Sequence, residues 1–485
     1  VSFIKTIDHS QGKRLSKLDK FGYGVGNLGY GIIFQMIAVY LIFYTTAVLN
    51  IPGTLIGTAV AISVLWDAFS DLIMGYISDG YPIGKLGRRH PYLLLGCFLA
   101  AFSNLILWQI NPDVSTNSKF YLVFILIILV KSALTVYIAP YNALGAELSD
   151  DYHERTSIQS IKTVFFLLGL FSATVAGMSF FFKPTLHYPL GQLNPEAYSR
   201  MGISASLFMI LCGLLCFFST KKHIPLLPQS RIKEKKKRGE MLNIFTVFLS
   251  ALKNNDYLYV ITGYLFTNIS SALVGTIGLH VFTYTFQLDN RGIALVIGVQ
   301  FFVSIISQPL WVIISNKIDK KPSVILALIL SMAACIIFIG LVFYKDMILG
   351  SPMYILPFAI LIGFGTGGLF SLPQSMVADT LDLEELETGI SPAGIYYGAL
   401  TLFYKLSQAI AIFILGMVLD WVNFNPEVLV QAESTAITLG LILSVGSLIS
   451  FLLALFVYSK YSLNKDKIEK VHAQILLNKN GRSTT

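Results

Sequence analysis

About twelve stretches of this 485-residue chain are each mainly apolar over the roughly 20 residues that a helix needs to cross a hydrocarbon layer. They lie near 22–48, 53–79, 91–111, 120–147, 156–183 and 200–220, then near 256–286, 291–316, 322–344, 352–378, 392–421 and 435–459. This pattern constrains the fold tightly, because a backbone in lipid must satisfy its own hydrogen bonds and a helix does so within one segment. Only 13% of the residues are charged, against about 25% in a soluble domain. The expected fold is all-α and multi-pass, in a cell membrane (plasma or inner), with the lipid bilayer as a partner.

Basic residues set the expected orientation. Lys5, Lys13, Arg14, Lys17 and Lys20 precede the first stretch, and Lys85, Arg88 and Arg89 join the second to the third. Arg155 joins the fourth and fifth, Lys317, Lys320 and Lys321 the eighth and ninth, and Lys460, Lys465 and Lys467 follow the last. Both termini are therefore expected in the cytoplasm. These flanks account for the net charge of +8, so no nucleic-acid partner is expected. Residues 1–20 are polar and basic and the first apolar stretch is a full span, so no cleavable signal peptide is expected. Cys97, Cys212, Cys216 and Cys335 all fall inside apolar stretches and read as small buried residues without disulfide or zinc spacing.

The longest polar interruption runs from Lys221 to about Asp256 and divides the stretches six and six. The expected organisation is an N-terminal bundle over 1–220, a basic cytoplasmic linker over 221–255, a C-terminal bundle over 256–460 and a cytoplasmic tail over 461–485. The run 231–238 reads as a linker held at an anionic leaflet, and 241–252 has the pattern of an interfacial amphipathic helix. Matching loops recur in both halves. Asp79, Lys85, Arg88 and Arg89 follow the second stretch, and Asp319 with Lys320 and Lys321 follows the eighth. Glu147 ends the fourth stretch and Asp379 ends the tenth. Such duplicated halves place a site at their interface near the midplane. The acid–base loops, including Arg155, are expected to act as cytoplasmic gates, the alternative being structural caps.

Within the second stretch stands Trp66-Asp67-Ala68-Phe69-Ser70-Asp71. Aspartates four apart share one helix face. Charge at bilayer depth marks a functional site facing protein or water by default. Two close carboxylates repel unless one holds a proton or a cation lies between them. The pair suits the handling of a small cation; the plainer alternative is a buried pair neutralised by protonation or by a neighbouring base.

These residues, with Gly84-Lys85, Arg88-Arg89-His90-Pro91, Pro140-Tyr141-Asn142-Ala143-Leu144, Glu154-Arg155-Thr156, Met376 to Thr380 and Lys405, make the chain resemble the major facilitator superfamily. More narrowly it resembles the glycoside–pentoside–hexuronide:cation symporter family, from about Phe21 to Tyr458. The resemblance implies twelve transmembrane helices in two six-helix bundles around a central cavity. It implies that Asp67 and Asp71, helped by Thr135, bind a coupling sodium, lithium or proton, and that Lys405 lies near that site. Phe370 falls where the family places an aromatic near the sugar. Gly29 and Ile138 stand where the melibiose branch carries sugar-binding aspartates, and Asn142 replaces an aromatic, so a melibiose-like galactoside is not expected. Lys162 stands where much of the family has arginine, losing a bidentate fork.

Lys131 is less expected. It lies about 11 residues into its stretch, roughly 16 Å from the outer end, and shares a face with Thr135 and Ile138. It either pairs with Asp67 or Asp71 in place of a sodium, faces the cavity to meet an anionic substrate, or snorkels outward. Tyr397, Thr401, Lys405 and Gln408 form a polar stripe that reads as cavity lining, and Tyr141 is grouped with the substrate residues. Crowded glycines near residues 22–31 and 363–368 suit close helix approach and hinging. His280 reads as a hydrogen-bonded packing residue.

The function expected is cation-coupled symport of a sugar or glycoside, with a slight tilt toward an anionic one from Lys131, Lys162 and Lys405. The alternative is lysophospholipid transport, since a eukaryotic branch looks similar in these motifs. No enzyme is expected, because the spans carry no nucleophile–base or metal cluster. The longest outer loop, Pro184 to Arg200, is about 17 residues, too small for a receptor ectodomain. No cofactor beyond a coupling sodium or proton is expected, and the protein should work as a monomer.

Overall fold

The computed structural model describes residues 15–80, 86–149, 152–226, 253–388, 393–426, 428 and 430–482. The basic run 231–238, the segment 241–252 and Lys85 lie outside the described residues. Among the described residues, twelve helices are long and apolar enough to cross a membrane. In the first half these are α1 (Lys17–Phe43), α2 (Gly53–Gly80), α3 (His90–Leu107), α4 (Thr116–Glu147), α5 (Tyr152–Phe171) and α6 (Pro195–Lys221). In the second half they are α7 (Asn255–His280), α8 (Asn290–Ile318), α9 (Lys320–Phe343), α10 (Leu356–Thr388), α11 (Ala393–Trp421) and α12 (Glu433–Leu441). A π turn extends α1 over Tyr44–Val48 and α7 over Val281–Thr285. Further π turns, Ser172–Ala176 and Ile442–Gly446, carry α5 on to Phe180 and α12 on to Ser459.

Local chemistry explains the boundaries. Ser115, Asn254 and Asp289 cap α4, α7 and α8 by accepting the backbone N–H of Ser118, Tyr257 and Gly292. Pro195 opens α6 five residues before the expected start, where a missing N–H costs nothing. The expected tail contains a further helix, α13 (Lys465–Arg482). Asn464 accepts the Lys467 N–H at its start, and Ile468 and Val471 are buried on one face.

The contacts divide the chain into two compact units; one boundary falls within the expected linker, and the pieces 38–65 and 178–194 group with the second half. The first unit holds the described parts of Val1–Ile37, Trp66–Gly177 and Pro195–Lys235; the second holds those of Ala38–Leu65, Met178–Asn194 and Lys236–Thr485. Polar contacts inside the second unit give the reason. Thr46 lies 2.9 Å from His280 Nε2, as the packing reading of that histidine requires. Gln192 Nε2 donates to Leu288 O (3.1 Å), and Asn290 donates to Met178 O (3.1 Å). The Asp420 carboxylate accepts the N–H groups of Gly53 (2.7 Å) and Thr54 (2.8 Å) at the start of α2. Gly53 and Gly57, one turn apart on α2, pack directly on Gly416 of α11.

Duplication is visible in the backbone of the same unit. After the π turn of α1, Leu49 N bonds Tyr44 O (2.9 Å), Asn50 takes a positive φ of 54°, and Ile51 N bonds Thr45 O (3.0 Å). After that of α7, Phe286 N bonds Val281 O (3.1 Å), Gln287 takes φ 52°, and Leu288 N bonds Phe282 O (2.8 Å). The two corners are one motif used twice.

Gly416→Val should disrupt the close α2–α11 contact at a cost of about 1–3 kcal/mol, lowering the thermal midpoint of the purified protein. Gly275→Ala, where a Cβ meets nothing within 4 Å, serves as the comparison. Equal midpoints for the two variants would contradict the contact.

Candidate functional site: an aspartate pair with a hydroxyl and an ammonium

In the first unit, Asp67 and Asp71 lie one turn apart on α2, both half-buried. Thr135 of α4 is 2% exposed, and its hydroxyl lies 3.2 Å from Asp67 Oδ1 and 2.9 Å from Asp71 Oδ1. Ser70 adds a second hydroxyl 3.3 Å from that of Thr135. Trp66 Nε1 donates to Ser132 Oγ at 2.8 Å, holding α2 against α4 just beside the pair. A threonine hydroxyl has one proton and two lone pairs. It can therefore donate to one aspartate while accepting from a protonated partner, or offer its oxygen together with both carboxylates to a cation.

Lys131, one turn before Thr135, is 8% exposed and its Nζ lies 3.9 Å from Asp67 Oδ2. The ring of Phe34 on α1 stands 5.7 Å from the same ammonium. Of the three alternatives, the geometry shows the pairing with Asp67, the side chain lying among α1, α2 and α4. The reason is electrostatic, since an ammonium at this depth needs a counter-charge.

Lys162 of α5 donates to Asn142 Oδ1 at 3.0 Å, and Asn27 of α1 donates to the Lys162 carbonyl at 3.0 Å. Two expected substrate residues are thereby brought together, with a partner that sequence reasoning missed. Tyr141 is a correction. Its ring is fully buried and stacks on Tyr23 with centroids 4.5 Å apart, and each hydroxyl donates to the other residue's carbonyl (2.8 and 3.1 Å). It joins α1 to α4 and leaves no face for a solute.

In the second unit, Phe370 is exposed on α10, and Tyr397, also exposed, donates from α11 to the Gln374 carbonyl at 3.4 Å. Thr401 donates to the Tyr397 carbonyl (3.0 Å), and Lys405 is half-buried a turn further on.

The acid–base loops pair within each unit. Arg88 and Arg89 reach Glu147 Oε1 at 2.6 and 2.7 Å, and Arg89 also donates to Ser78 (2.8 Å). In the second unit Lys320 reaches both oxygens of Asp379 at 2.6 and 2.7 Å. Asp319 has a different role from the gating one expected: with φ at 76°, its carboxylate accepts the N–H of Lys320 (2.6 Å) and of Lys465 (2.9 Å). It caps α9 and ties down α13, because its backbone geometry turns the carboxylate onto N–H groups. Asp79 and Arg155 lie on α2 and α5, with side chains outside the described residues.

Residues 22–465 match the MFS/sugar transport protein family, so the chain belongs to that family. It is similar to an uncharacterized symporter of Bacillus subtilis (strain 168), YjmB, 27% identical over 489 residues with 97% of each chain covered. It is also similar to the sodium-dependent lysophosphatidylcholine symporter 1-A of Danio rerio, 22% identical with 98% of this chain and 92% of the relative covered. A solved D-xylose-proton symporter superposes with a TM-score of 0.63, covering 92% of this chain and 97% of that one at 15% identity. At such identity the likeness speaks for the fold alone. The protein is therefore an all-helical, multi-pass integral membrane protein of the plasma or inner membrane with the major facilitator fold.

Glu147→Ala removes the carboxylate shared by two buried guanidiniums and should cost about 3–5 kcal/mol. Asp379→Ala should cost less, because the Lys320 side chain is 30% exposed and can hydrate. Thermal midpoints of the two variants check the order; the reverse order would contradict it.

Proposed function

We propose that this protein is a symporter that couples a cation to a small polar solute of the sugar or glycoside class by alternating access, with Asp67, Asp71 and Thr135 as the coupling site. The single observation that carries the reading is the Thr135 hydroxyl held within 3.2 Å of both carboxylates. A half-buried aspartate pair bridged by one hydroxyl is suited to take up and release one positive charge. The family is one of sugar transport proteins, and the relatives reported above are named symporters.

The sequence motifs favour the glycoside–pentoside–hexuronide branch, with Asn142, Lys162, Phe370, Tyr397, Thr401 and Lys405 as substrate residues. Lys131 stands against Asp67, so the tilt toward an anionic sugar rests on Lys162 and Lys405 alone. Basic flanks support cytoplasmic termini, and the paired loops support a gating role for Arg88, Arg89 and Glu147 and for Lys320 with Asp379. A second reading, lysophospholipid transport, is favoured by the Danio rerio relative, whose similarity spans nearly the whole chain.

The test is uptake of a panel of sugars, glycosides, hexuronides and lysophosphatidylcholine into vesicles under separate sodium and proton gradients. One gradient should drive accumulation of a sugar or glycoside, and Asp67→Asn should reduce that accumulation at least about tenfold. Gradient-independent uptake in both proteins would overturn coupling, and accumulation of the lysolipid alone would favour the second reading.

A further inference from the structure

α1 and α11 end in the same way, and both ends line one cavity. Leaving α1, Asn50 takes φ 54° and the Ile51 N–H turns back to the Thr45 carbonyl (3.0 Å). Leaving α11, Asn423 takes φ 50° and its N–H bonds the Asp420 carbonyl (3.1 Å). The Phe424 N–H then bonds the Leu419 carbonyl (3.0 Å), which completes a left-handed helix stop. In each case the residue after the left-handed asparagine is apolar and folds inward. Ile51 is 2% exposed, and Phe424 meets the rings of His280 and Tyr284 nearly at right angles, with centroids 5.6 and 4.9 Å away. Between the two ends lies a cavity of about 330 Å³, within the range of small-molecule sites and lined by residues of the second unit.

The lining combines an apolar floor with a polar rim. Ile51, Leu419 and Phe424 give the floor, and the Phe424 ring is pinned by its two perpendicular neighbours. Asn50 and Asn425 are exposed at the rim, each with a carboxamide that can both donate and accept. Gln431 holds the Asn425 backbone, accepting its N–H (3.1 Å) and donating to its carbonyl (2.5 Å). Asp420 is the charged side chain among the described lining residues. Its carboxylate accepts the N–H groups of Gly53 (2.7 Å) and Thr54 (2.8 Å), which use two of its roughly four acceptor positions. The others suit hydroxyl donors. Charge then selects among solutes. The carboxylate repels an anion, while the two N–H groups and the positive end of α2 already offset part of its charge and leave little for a cation. A neutral molecule with an apolar ring face and hydroxyls around its edge meets both floor and rim.

We propose that this cavity binds one neutral sugar, its ring face on Phe424 and its hydroxyls on Asn50, Asp420 and Asn425. None of these four belongs to the coupling site or to the substrate residues proposed above, so the inference does not rest on that reading. The walls come from the α1–α2 corner and the end of α11. An occupant therefore bridges the two and strengthens the α2–α11 contact already made by Gly53, Gly57 and Gly416. With both termini cytoplasmic, as the basic flanks support, this end of the helices faces outward, where a solute first arrives.

The test uses the purified full-length protein carrying Asn425→Cys, since Cys97, Cys212, Cys216 and Cys335 are all buried. Alkylation of the new thiol by a water-soluble maleimide is timed with glucose or xylose, and with glucuronate and glucosamine as charged counterparts. The neutral sugars should slow alkylation saturably, half-maximally at a concentration on the order of millimolar, and the charged ones at least about tenfold less effectively. Adding Asn50→Gly, which suits the positive φ and removes the carboxamide, should raise the half-maximal concentration at least about tenfold. Leu186→Cys, at a fully exposed loop position, controls for effects of the sugars on the reagent. Pro426→Cys, also on the lining, stands in if Asn425→Cys fails to fold. No protection by either neutral sugar overturns the proposal. So does a preference for a charged sugar, or protection unchanged by Asn50→Gly, which would mean a sugar bound elsewhere. The vesicle screen tests the transport reading separately, and neither result decides the other.

Discussion

Ionised groups inside an apolar bundle must find partners, and that requirement organises this protein. Lys131 turns to Asp67, Arg88 and Arg89 close on Glu147, and Lys320 closes on Asp379. At the exposed end of α11, Asp420 accepts backbone N–H groups from the start of α2. Each contact joins two elements that the sequence separates by many residues, so the placement of charge also fixes which helices meet. The aspartate pair belongs to the same set, and the proposed function has a small ion enter and leave its balance.

Close packing of small residues supplies the rest of the scaffold. Glycines on α1 lie against α5 and α6, and Gly31 and Gly169 approach backbone to backbone. Gly363, Gly365, Gly367 and Gly368 of α10 pack against Gln300, Ser331, Ser307 and Trp311. These clusters serve close approach, as their composition led one to expect. The α2–α11 contact through Gly53, Gly57 and Gly416 belongs to the same class, although nothing in the local sequence around Gly416 sets it apart. Van der Waals packing of this kind replaces the hydrophobic force that lipid cannot provide between helices.

The sequence made the twelve helices legible because hydropathy and length alone decide them. Asp67, Asp71 and Thr135 were legible because charge is rare in such segments, and the paired loops because they recur. What escaped notice depends on tertiary geometry. Asn142 continues the 131–135–138 face of α4, whereas Tyr141 sits a step off it and turns into the α1 junction. Asp319 and Lys320 are neighbours; Lys320 meets Asp379, and at the positive φ of Asp319 its carboxylate lies on backbone N–H groups, which the sequence does not announce. The π turns after Phe43 and His280 come from backbone bonds that no residue pattern announces, and Phe34 carried no signal beyond being one aromatic among many. The division into compact units follows contacts of Thr46, Gln192 and Asp420 that lie hundreds of residues from their partners in two of the three cases.

Coupling itself is the central claim, and it is read most directly as ion movement driven by solute. Proteoliposomes holding the purified protein, with no ion gradient imposed, receive a pulse of the transported sugar or glycoside while internal pH and sodium are followed. The account predicts that solute entry carries protons or sodium inward through the wild type, and that Asp71→Asn abolishes this flux. Solute entry in the wild type with no accompanying ion movement would contradict it.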